Sequence, residues 1–352
     1  MALFLTIQQT RQNLTMDACL KSCRTAYQLL GKGQAINRPR SQVHVNMGQP
    51  GLYYLFKSME GVIPDLGVAA IRLTSQMAHW HKLGGKLRKE KLSVAKKGYL
   101  VGLILLFDIK TCRLLCVMPD GIVDRMRVGA TNGLAAEHLS RKDSRVLGLL
   151  GTGNHARTQV LAFSLVRRLS LVKVFSPNVE HRKRFCNEMS ALSGVAFEPV
   201  ATPEEAVENA DIVAAATNSR EPVLKGEWAR PGVHYSSILP YEVDRVLINK
   251  VDVFVVNTRN IRGDIYALTN GEEFSYYRGT NTRDYQKLPE LAEVVIAASA
   301  GRTRDDQITL FVNNMGMGIQ FAATANAVYQ EAKRRGVGTE ISDEFFLQEE
   351  HA

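Results

Sequence analysis

The stretch that decides the fold is VLGLLGTGNHARTQVLAF, residues 146–163, near the middle of the 352-residue chain. An apolar run of strand length ends at Gly151, and apolar residues at helical spacing follow the turn. Gly151 permits a tight turn, Gly153 lets the backbone approach a pyrophosphate, and the small Ala156 lets helix and strand pack. The pattern predicts a dinucleotide site whose cofactor contacts are Gly151, Thr152, Gly153, Asn154, His155 and Ala156. The alternative is an ordinary strand-to-helix turn, so the neighbouring segments must decide.

Those neighbouring segments repeat the strand–helix alternation. Residues 171–176 (LVKVFS) have the composition of a second buried strand, and Thr202 with Pro203 has the residues of a helix start. Further apolar runs at 212–216 and 251–257 predict two more strands. Alternation of this kind predicts an α/β fold with a parallel sheet covered on both faces, which is a Rossmann dinucleotide-binding domain.

The end of the second strand bears on the choice of cofactor. A Rossmann fold usually places an acid there to bind the adenosine ribose, whereas this strand ends in Ser176 and is followed by Asn178. The missing acid and nearby cations such as Arg182 favour a 2′-phosphate, so NADP(H) is preferred and NAD(H) stays possible. The alternative is that those cations only form the solvated first turn of the next helix. Ser176, Asn178 and Arg182 are the predicted contacts.

The net charge of +9 raises the possibility of nucleic-acid binding. The richest basic stretch, HKLGGKLRKEKLSVAKK (81–97), has no RNA-binding aromatic pattern and precedes a strongly apolar strand. We expect an exposed loop there and no nucleic-acid partner.

Cysteine usage and the absence of targeting patterns predict a cytoplasmic location. The five cysteines are odd in number, scattered, and lack the spacing of zinc ligands, so neither a disulfide framework nor a metal site is expected. The first residues have no secretory pattern, and no segment has the length of a membrane span.

The segments around the dinucleotide module predict an α+β first domain. An amphipathic helix at 15–31 closed by Gly31 precedes several strands, a helix at 124–140 leads into the module, and a helix at 317–338 with Gly336 as its C-cap follows it. The expected strands of the first domain are 41–47, 51–57, 67–74, 99–108 and 113–118.

Several ordered motifs resemble the ornithine cyclodeaminase and mu-crystallin family over most of the chain. They are RPR (38–40), RMRVGATNGLAAEHL (125–139), GTGNHA (151–156), ADIVAAATNSREPVL (210–224), EWARPGVH (227–234) and GRTRDDQITLF (301–311). The resemblance implies a nicotinamide cofactor and a homodimer. It also implies a Rossmann domain at 126–311 and a discontinuous substrate-binding and dimerisation domain at 1–125, completed by 312–352.

The same resemblance implies that three cationic residues bind a substrate carboxylate. Arg40 and Arg127 match the family's arginines, and Arg72 stands where the family has a lysine. A guanidinium pairs with a carboxylate in a bidentate manner, but it cannot exchange a proton as a lysine can. The alternative for each arginine is a surface or ion-pair role. The expected partner is a small imino or amino acid.

Two departures from the family concern the reaction. The loop at 234–247 (HYSSILPYEVDRVL) has no aspartate where cyclodeaminases carry one, and Glu242 and Asp244 match an acidic pair with a structural role. Phe321 also replaces a usual aspartate. The favoured function is therefore an NAD(P)H-dependent oxidoreductase acting on a C=N or C–N bond. The alternatives are a cyclodeaminase that uses bound NAD and a crystallin-like binding protein without turnover.

The hydride reaction also needs a proton donor and a site for the nicotinamide ribose. His79, His81 and Tyr241 are the candidates for the proton, histidine because its ordinary pKa lies near neutrality. The alternative for the histidines is solvent exposure in a basic loop. Thr217 and Asn218 match family positions near the nicotinamide ribose, or they form a helix cap.

Overall fold

A computed structural model describes residues 1–83, 86–95, 98, 100–260, 264–268 and 285–348. Within these residues the strands, in chain order, are β1 (Ala2–Phe4), β2 (Ile36–Asn37), β3 (Ser41–Asn46), β4 (Leu52–Ile63), β5 (Val68–Leu83), β6 (Lys86–Leu92), β7 (Val101–Asp108), β8 (Leu114–Pro119), β9 (Val146–Leu150), β10 (Leu171–Phe175), β11 (Ala196–Pro199), β12 (Ile212–Ala215), β13 (His234–Ser237), β14 (Val253–Val256), β15 (Asp264–Leu268), β16 (Thr309–Val312) and β17 (Thr339–Ile341). The α-helices are α1 (Ile7–Gln12), α2 (Met16–Gly31), α3 (Asp120–Leu139), α4 (Asn154–Val166), α5 (Val179–Ser193), α6 (Pro203–Val207), α7 (Arg245–Lys250), α8 (Leu291–Val295) and α9 (Gly318–Arg334).

The described chain divides into two compact units. The first contains Met1–Arg127, β15 and the chain from Gly316 onward. The second contains the described residues between 128 and 260 and between 285 and 315. Three separate stretches of sequence therefore build the first unit.

The first unit is a largely antiparallel sheet with helices packed against it. Its strands follow the order β15-β3-β4-β5-β7-β8-β1-β17, and β2 and β6 pair with β4 and β5. Helix α9 packs against β4 and β5, and α2 packs against α9. Side chains alternate between the two faces of a strand, so the sheet has a buried inner face towards α9 and a second, outer face.

The second unit is a parallel sheet in the order β11-β10-β9-β12-β13-β16-β14. Apolar side chains pack against both of its faces, one set around Leu149 and Phe163 and the other around Val213 and Leu247. A sheet buried on both faces needs strands that are apolar throughout, which explains why its strands are plain apolar runs in the sequence. The prediction of an α/β Rossmann sheet is confirmed.

The basic stretch 81–97 is not the loop that its composition predicts. Strand β5 continues to Leu83, and β6 pairs with it in antiparallel register from Met77↔Leu92 to Leu83↔Lys86. Backbone pairing with β5 overrides the low strand propensity of the charged residues. Residues 84, 85, 96 and 97 of the stretch lie outside the described residues.

Smaller differences concern where elements begin and end. Strand β4 extends to Ile63 and β5 begins at Val68, because Gly67 (φ 69°) closes the short turn between them. Helix α3 begins at Asp120 rather than 124. Gly31 lies inside α2, and the left-handed residue after that helix is Gly33 (φ 71°).

Buried Arg167 caps the C-terminal end of α3. A helix leaves its last four carbonyl oxygens without partners inside the helix. The guanidinium of Arg167 donates to the carbonyl oxygens of Ala136, Glu137, Ser140 and Arg141 at 2.8–3.0 Å. Arg167 thus caps the end of α3 together with Arg302, whose Nε donates to the carbonyl oxygen of Leu139 at 2.8 Å.

We expect Arg167→Met to lower the free energy of unfolding by about 3 kcal/mol, because four carbonyl oxygens lose a charged donor. Urea unfolding measures the difference. Arg168→Met, a substitution at the exposed neighbouring residue, is the matched control and should change stability by no more than about 0.5 kcal/mol. Equal stability of the two variants would contradict a capping role for Arg167.

Candidate functional site

The glycine turn after β9 has the backbone that the sequence predicts. Gly151 has φ 116°, a region that L side chains rarely adopt. A Cβ at this position would lie 2.4 Å from the carbonyl oxygen of Ala216. Both conformation and space therefore require glycine, and the turn brings the end of β9 close to the end of β12.

The N-terminus of α4 fits a phosphate group. Gly153 is the N-cap, with extended backbone (φ −81°, ψ −175°), and no side chain of the described residues caps the helix. Gly153 and Asn154 are exposed, and a Cβ added at Gly153 would meet no described atom within 4 Å. The first N–H groups of a helix attract anions, so this turn can hold the pyrophosphate of a dinucleotide.

Strand order places a crevice beside this turn. From β9 the chain proceeds to β10 and β11 on one side, and β12 and β13 lie on the other side. Ligands of open parallel sheets bind outside the carboxyl ends of the strands, where the order reverses. The ends of β9 and β12 are that point in this sheet.

The residues after β10 contact the backbone of their own loop. Asn178 caps α5 by accepting a hydrogen bond from His181 N at 2.9 Å. Buried Arg182 donates to the carbonyl oxygen of Ser176 at 3.1 Å and stacks on Phe175. Its guanidinium therefore stabilises the loop after β10, a role that the sequence did not reveal.

Glu242 organises the loops at the carboxyl ends of β12 and β13. Its Oε1 accepts hydrogen bonds from Thr217 N (2.9 Å) and Thr217 Oγ1 (2.6 Å). Its Oε2 accepts from Ile238 N (3.2 Å) and Leu239 N (3.1 Å). The side chain is fully buried, and burial raises its pKa against the opposing effect of these donors.

The other predicted residues of these loops are more exposed. Asn218 is exposed after β12, and Tyr241 is partly exposed with the Arg220 guanidinium 4.7 Å from its ring centroid. Asp244 accepts from Leu247 N as the N-cap of α7. Thr217 is thus held by Glu242, while Asn218 and Tyr241 face solvent in part.

The first unit buries two of the predicted arginines on its inner face. Arg72 lies on β5 and Arg127 on α3, with relative exposures of 9% and 6%. Both guanidinium carbons lie over the ring of Phe321, at 5.3 and 5.1 Å from its centroid. Phe321 thus provides a cation–π contact for both cations where a carboxylate was expected from the family.

Two carboxylates of α3 pair with these guanidinium groups. Arg72 donates to Asp120 Oδ2 through Nε (2.8 Å) and Nη2 (2.6 Å). Arg127 donates to Asp124 Oδ1 at 2.6 Å and to Gln320 Oε1 at 3.2 Å. Asp120 and Asp124 are four residues apart on one helix, so their side chains share a face. Burial is the main cause that raises the pKa of Asp120, and the Arg72 charge opposes it.

Arg40 lies just before β3 and is partly exposed. Its Nη2 and Nε lie 3.0 and 3.2 Å from Gln42 when the amide of Gln42 presents its oxygen. Gln42 is fully buried on β3, so Arg40 is attached to the sheet that carries Arg72.

The structure does not bring His79 and His81 to the arginine face. They lie seven and nine residues beyond Arg72 on β5, which pairs with β4 from Val68 to His79 in unbroken register. Alternating side chains then point to opposite faces, so both histidines lie on the outer face. Their ring centroids are 5.1 Å apart.

Sequence reasoning missed two buried titratable side chains on the inner face, Lys57 and His44. Lys57 lies on β4 and is 8% exposed. Burial and neighbouring cations lower the pKa of His44 to about 3, so this histidine is neutral at physiological pH. The signal was available in LYYLFKSMEGVI (52–63), because Lys57 shares its strand parity with the buried Tyr53, Leu55 and Met59.

The described residues lack two further features. No group of three or more histidine, cysteine, aspartate or glutamate side chains there could hold a metal ion. No helix in the same part of the chain is long and apolar enough to cross a membrane.

Comparison with known proteins identifies one family and relatives named as dehydrogenases and reductases. The sequence model of the ornithine cyclodeaminase/mu-crystallin family matches residues 75–336. Alanine dehydrogenase of Archaeoglobus fulgidus is 25% identical over 348 residues, covering 96% of this chain and 98% of that protein. A Delta(1)-pyrroline-2-carboxylate reductase of Bacillus cereus is 25% identical over 253 residues, covering 72% and 77%. The structure of the Thermococcus litoralis Delta(1)-pyrroline-2-carboxylate reductase with NADH and L-proline superimposes with TM-score 0.78 and 29% identity, covering 96% and 100%.

We expect Glu242→Gln to lower the free energy of unfolding by about 3 kcal/mol, because the new amide group faces backbone donors that it cannot satisfy. Urea unfolding measures the loss. Glu227→Gln, at an exposed glutamate, is the matched control and should stay within about 0.5 kcal/mol of the unsubstituted protein. A Glu242→Gln variant as stable as this control would show that Glu242 does not hold the loops.

Proposed function

Because the chain belongs to the ornithine cyclodeaminase/mu-crystallin family, we propose that it is an NAD(P)H-dependent oxidoreductase. It reduces the C=N bond of a small imino acid, or oxidises the corresponding amino acid in reverse. The observation that carries the proposal is the buried cationic face formed by Arg72, Arg127 and Lys57 in the first unit. The binding of NADH and L-proline by the Thermococcus litoralis reductase agrees with this reaction type.

Arg127 and Arg40 bind the substrate carboxylate in this proposal. Arg127 keeps its position through Asp124, Gln320 and Phe321, so its guanidinium is preorganised. Arg72 forms an ion pair with Asp120, so in this proposal it contributes to the electrostatic potential of the inner face rather than binding the carboxylate directly. Two guanidinium groups suit a planar carboxylate, which accepts bidentate hydrogen bonds.

The second unit binds the nicotinamide cofactor. The open N-terminus of α4 and the positive φ of Gly151 fit a pyrophosphate, and the Thr217 loop held by Glu242 is proposed to contact the nicotinamide ribose. When bound, the cofactor supplies or accepts the hydride, and the protein orients the reacting carbon and manages one proton.

We propose that NADP(H) is preferred over NAD(H), with Ser176 and Asn178 at the adenosine ribose. No acid stands at the end of β10, and the nearest, Glu180, has a side chain that is 83% exposed on α5. Since Arg182 is engaged with the backbone, the preference rests on the missing acid rather than on that guanidinium. NAD(H) remains the alternative, and both cofactors belong in any assay.

The shortened loop after β13 argues against ornithine cyclisation. Glu242, its fully buried acid, is occupied by five donors from Thr217, Ser237, Ile238 and Leu239. A carboxylate held in this way is a structural centre and not a free base. Asp244, the next acid, caps α7.

We expect the purified protein to oxidise NADPH or NADH with at least one small imino acid, followed at 340 nm. Arg127→Met should lower kcat/KM by about 100-fold or more, because the proposed pair between the Arg127 guanidinium and the substrate carboxylate is lost. Arg125→Met is the matched control, since residues two apart on a helix point in different directions. Ammonia release from ornithine without net change in NADPH would instead indicate a cyclodeaminase.

We also propose a homodimer formed through the outer face of the first unit. Residues paired directly across five strands form one row of aromatic and aliphatic side chains with one half-buried serine: Tyr266, Val43, Phe56, Ser75 and Val101. Tyr266 is 68% and Phe56 40% exposed. A contiguous apolar sheet face of this kind is typical of a protein interface, and a second copy is the occupant that the family resemblance implies.

Phe56→Asp should convert a dimer into a monomer, because a charge would be buried at the centre of the row. Light scattering coupled to gel filtration measures the mass directly. Leu192→Asp, at an exposed leucine of α5 in the second unit, is the matched control and should leave the mass unchanged. A dimer that persists in Phe56→Asp would exclude this face as the interface.

A further inference from the structure

Lys57 is a buried amine at the centre of the inner face. In the register of the sheet it lies directly opposite Thr74 on β5 and opposite Gln42 on β3. Arg72 faces Met59, two residues further along β4, so Lys57 and Arg72 are diagonal neighbours on one face. The family has a lysine where this chain has Arg72 on β5. In this chain a lysine, Lys57, lies instead on the neighbouring strand β4.

The surroundings of Lys57 are strongly cationic. Burial is the main cause that lowers its pKa well below the ordinary value, and Lys89, Arg40, Lys91 and Arg72 add to the effect. His44, two residues from Gln42 on β3, is neutral. The acids of α3, Asp120 and Asp124, pair with Arg72 and Arg127.

Thr74 adds an observation that is independent of charge. Its side chain is 6% exposed, and its Oγ1 has no hydrogen-bond partner among the described residues. Buried hydroxyl groups are normally satisfied, so an unsatisfied one opposite a buried amine indicates a place for a polar ligand atom. The imine or amine nitrogen of a small imino acid is such an atom.

We propose that Lys57 donates the proton to the substrate nitrogen in the reduction and accepts it in the reverse oxidation. This inference rests on the proposed oxidoreductase function and names its acid–base residue. The Lys57 ammonium gives its proton to the nitrogen of the C=N bond, and a bound nicotinamide cofactor would supply the hydride for the new C–H bond on carbon. The π electrons become the N–H bond pair, and the neutral amine of Lys57 regains its proton from water.

The neighbouring candidates are less suited to this role. Arg72 cannot release a proton at physiological pH and is bound to Asp120. His79 and His81 lie on the outer face of the sheet. A lysine whose pKa is lowered by burial and like charges can both give and take a proton, which is how general acid–base lysines work.

The test compares Lys57→Met, Lys57→Arg and Lys57→Ala with Lys110→Met, an exposed lysine in the turn after β7 that serves as control. We expect Lys57→Met to lower kcat by about 100-fold or more, the usual contribution of a general acid. Lys57→Arg should restore KM, because it keeps the charge, but not kcat. The control should keep the unsubstituted rate.

The pH profile separates proton transfer from structure. In the reductive direction, kcat/KM of the unsubstituted protein should fall as pH rises through the pKa of Lys57, since the donor must be protonated. That limb should be absent in Lys57→Met, and added ethylamine should restore part of the rate of Lys57→Ala. A Lys57→Arg variant with unsubstituted kcat, or a Lys57→Met variant with an unchanged profile, would overturn the assignment while the oxidoreductase function stands. Absence of turnover by the unsubstituted protein with every imino and amino acid and both cofactors would overturn the proposed function and this assignment with it.

Discussion

The constraint on which the first unit depends is the burial of its cationic side chains. Moving a guanidinium out of water costs several kcal/mol unless a well-placed acid and further hydrogen bonds compensate. Asp120 and Asp124 supply the acids for Arg72 and Arg127, and the ring of Phe321 lies against both cations. Lys57 is buried on the same face, and burial together with the neighbouring cations lowers its pKa well below the ordinary value.

A comparable constraint shapes the loops of the second unit. Parallel strands end together at one edge, and the loops that leave this edge must be held without a strand partner. Glu242 does this by accepting backbone and side-chain hydrogen bonds from residues up to 25 positions away. Gly151 lets the end of β9 approach the carbonyl oxygen of Ala216. One buried acid and one glycine thus position the loops at this edge of the sheet.

The sequence predicted best what depends on local pattern. Apolar runs and the glycine turn were enough to predict β9, α4 and the parallel sheet. Strands that are buried on both faces appear in a sequence as continuous apolar runs, so this pattern identifies them. The pairing of β6 was missed since its residues are charged and form a strand only against β5. The sheet face on which His79 lies and the burial of Lys57 both follow from the alternation of side chains along a strand. That alternation can be applied only once β4 and β5 are known to run unbroken to Ile63 and Leu83. The family resemblance implied a structural role for Glu242, but its contact with Thr217, 25 positions away, could not be read from the local sequence.

The central claim is that the buried cationic face recognises a carboxylate and that this recognition is needed for catalysis. The most direct measurement compares kcat/KM for an imino acid that is turned over with kcat/KM for the same imine lacking the carboxylate, for example Delta(1)-pyrroline-2-carboxylate against Delta(1)-pyrroline. The loss of a buried charge pair predicts that the second value is lower by about 1,000-fold. Values within a few-fold of each other would contradict the account.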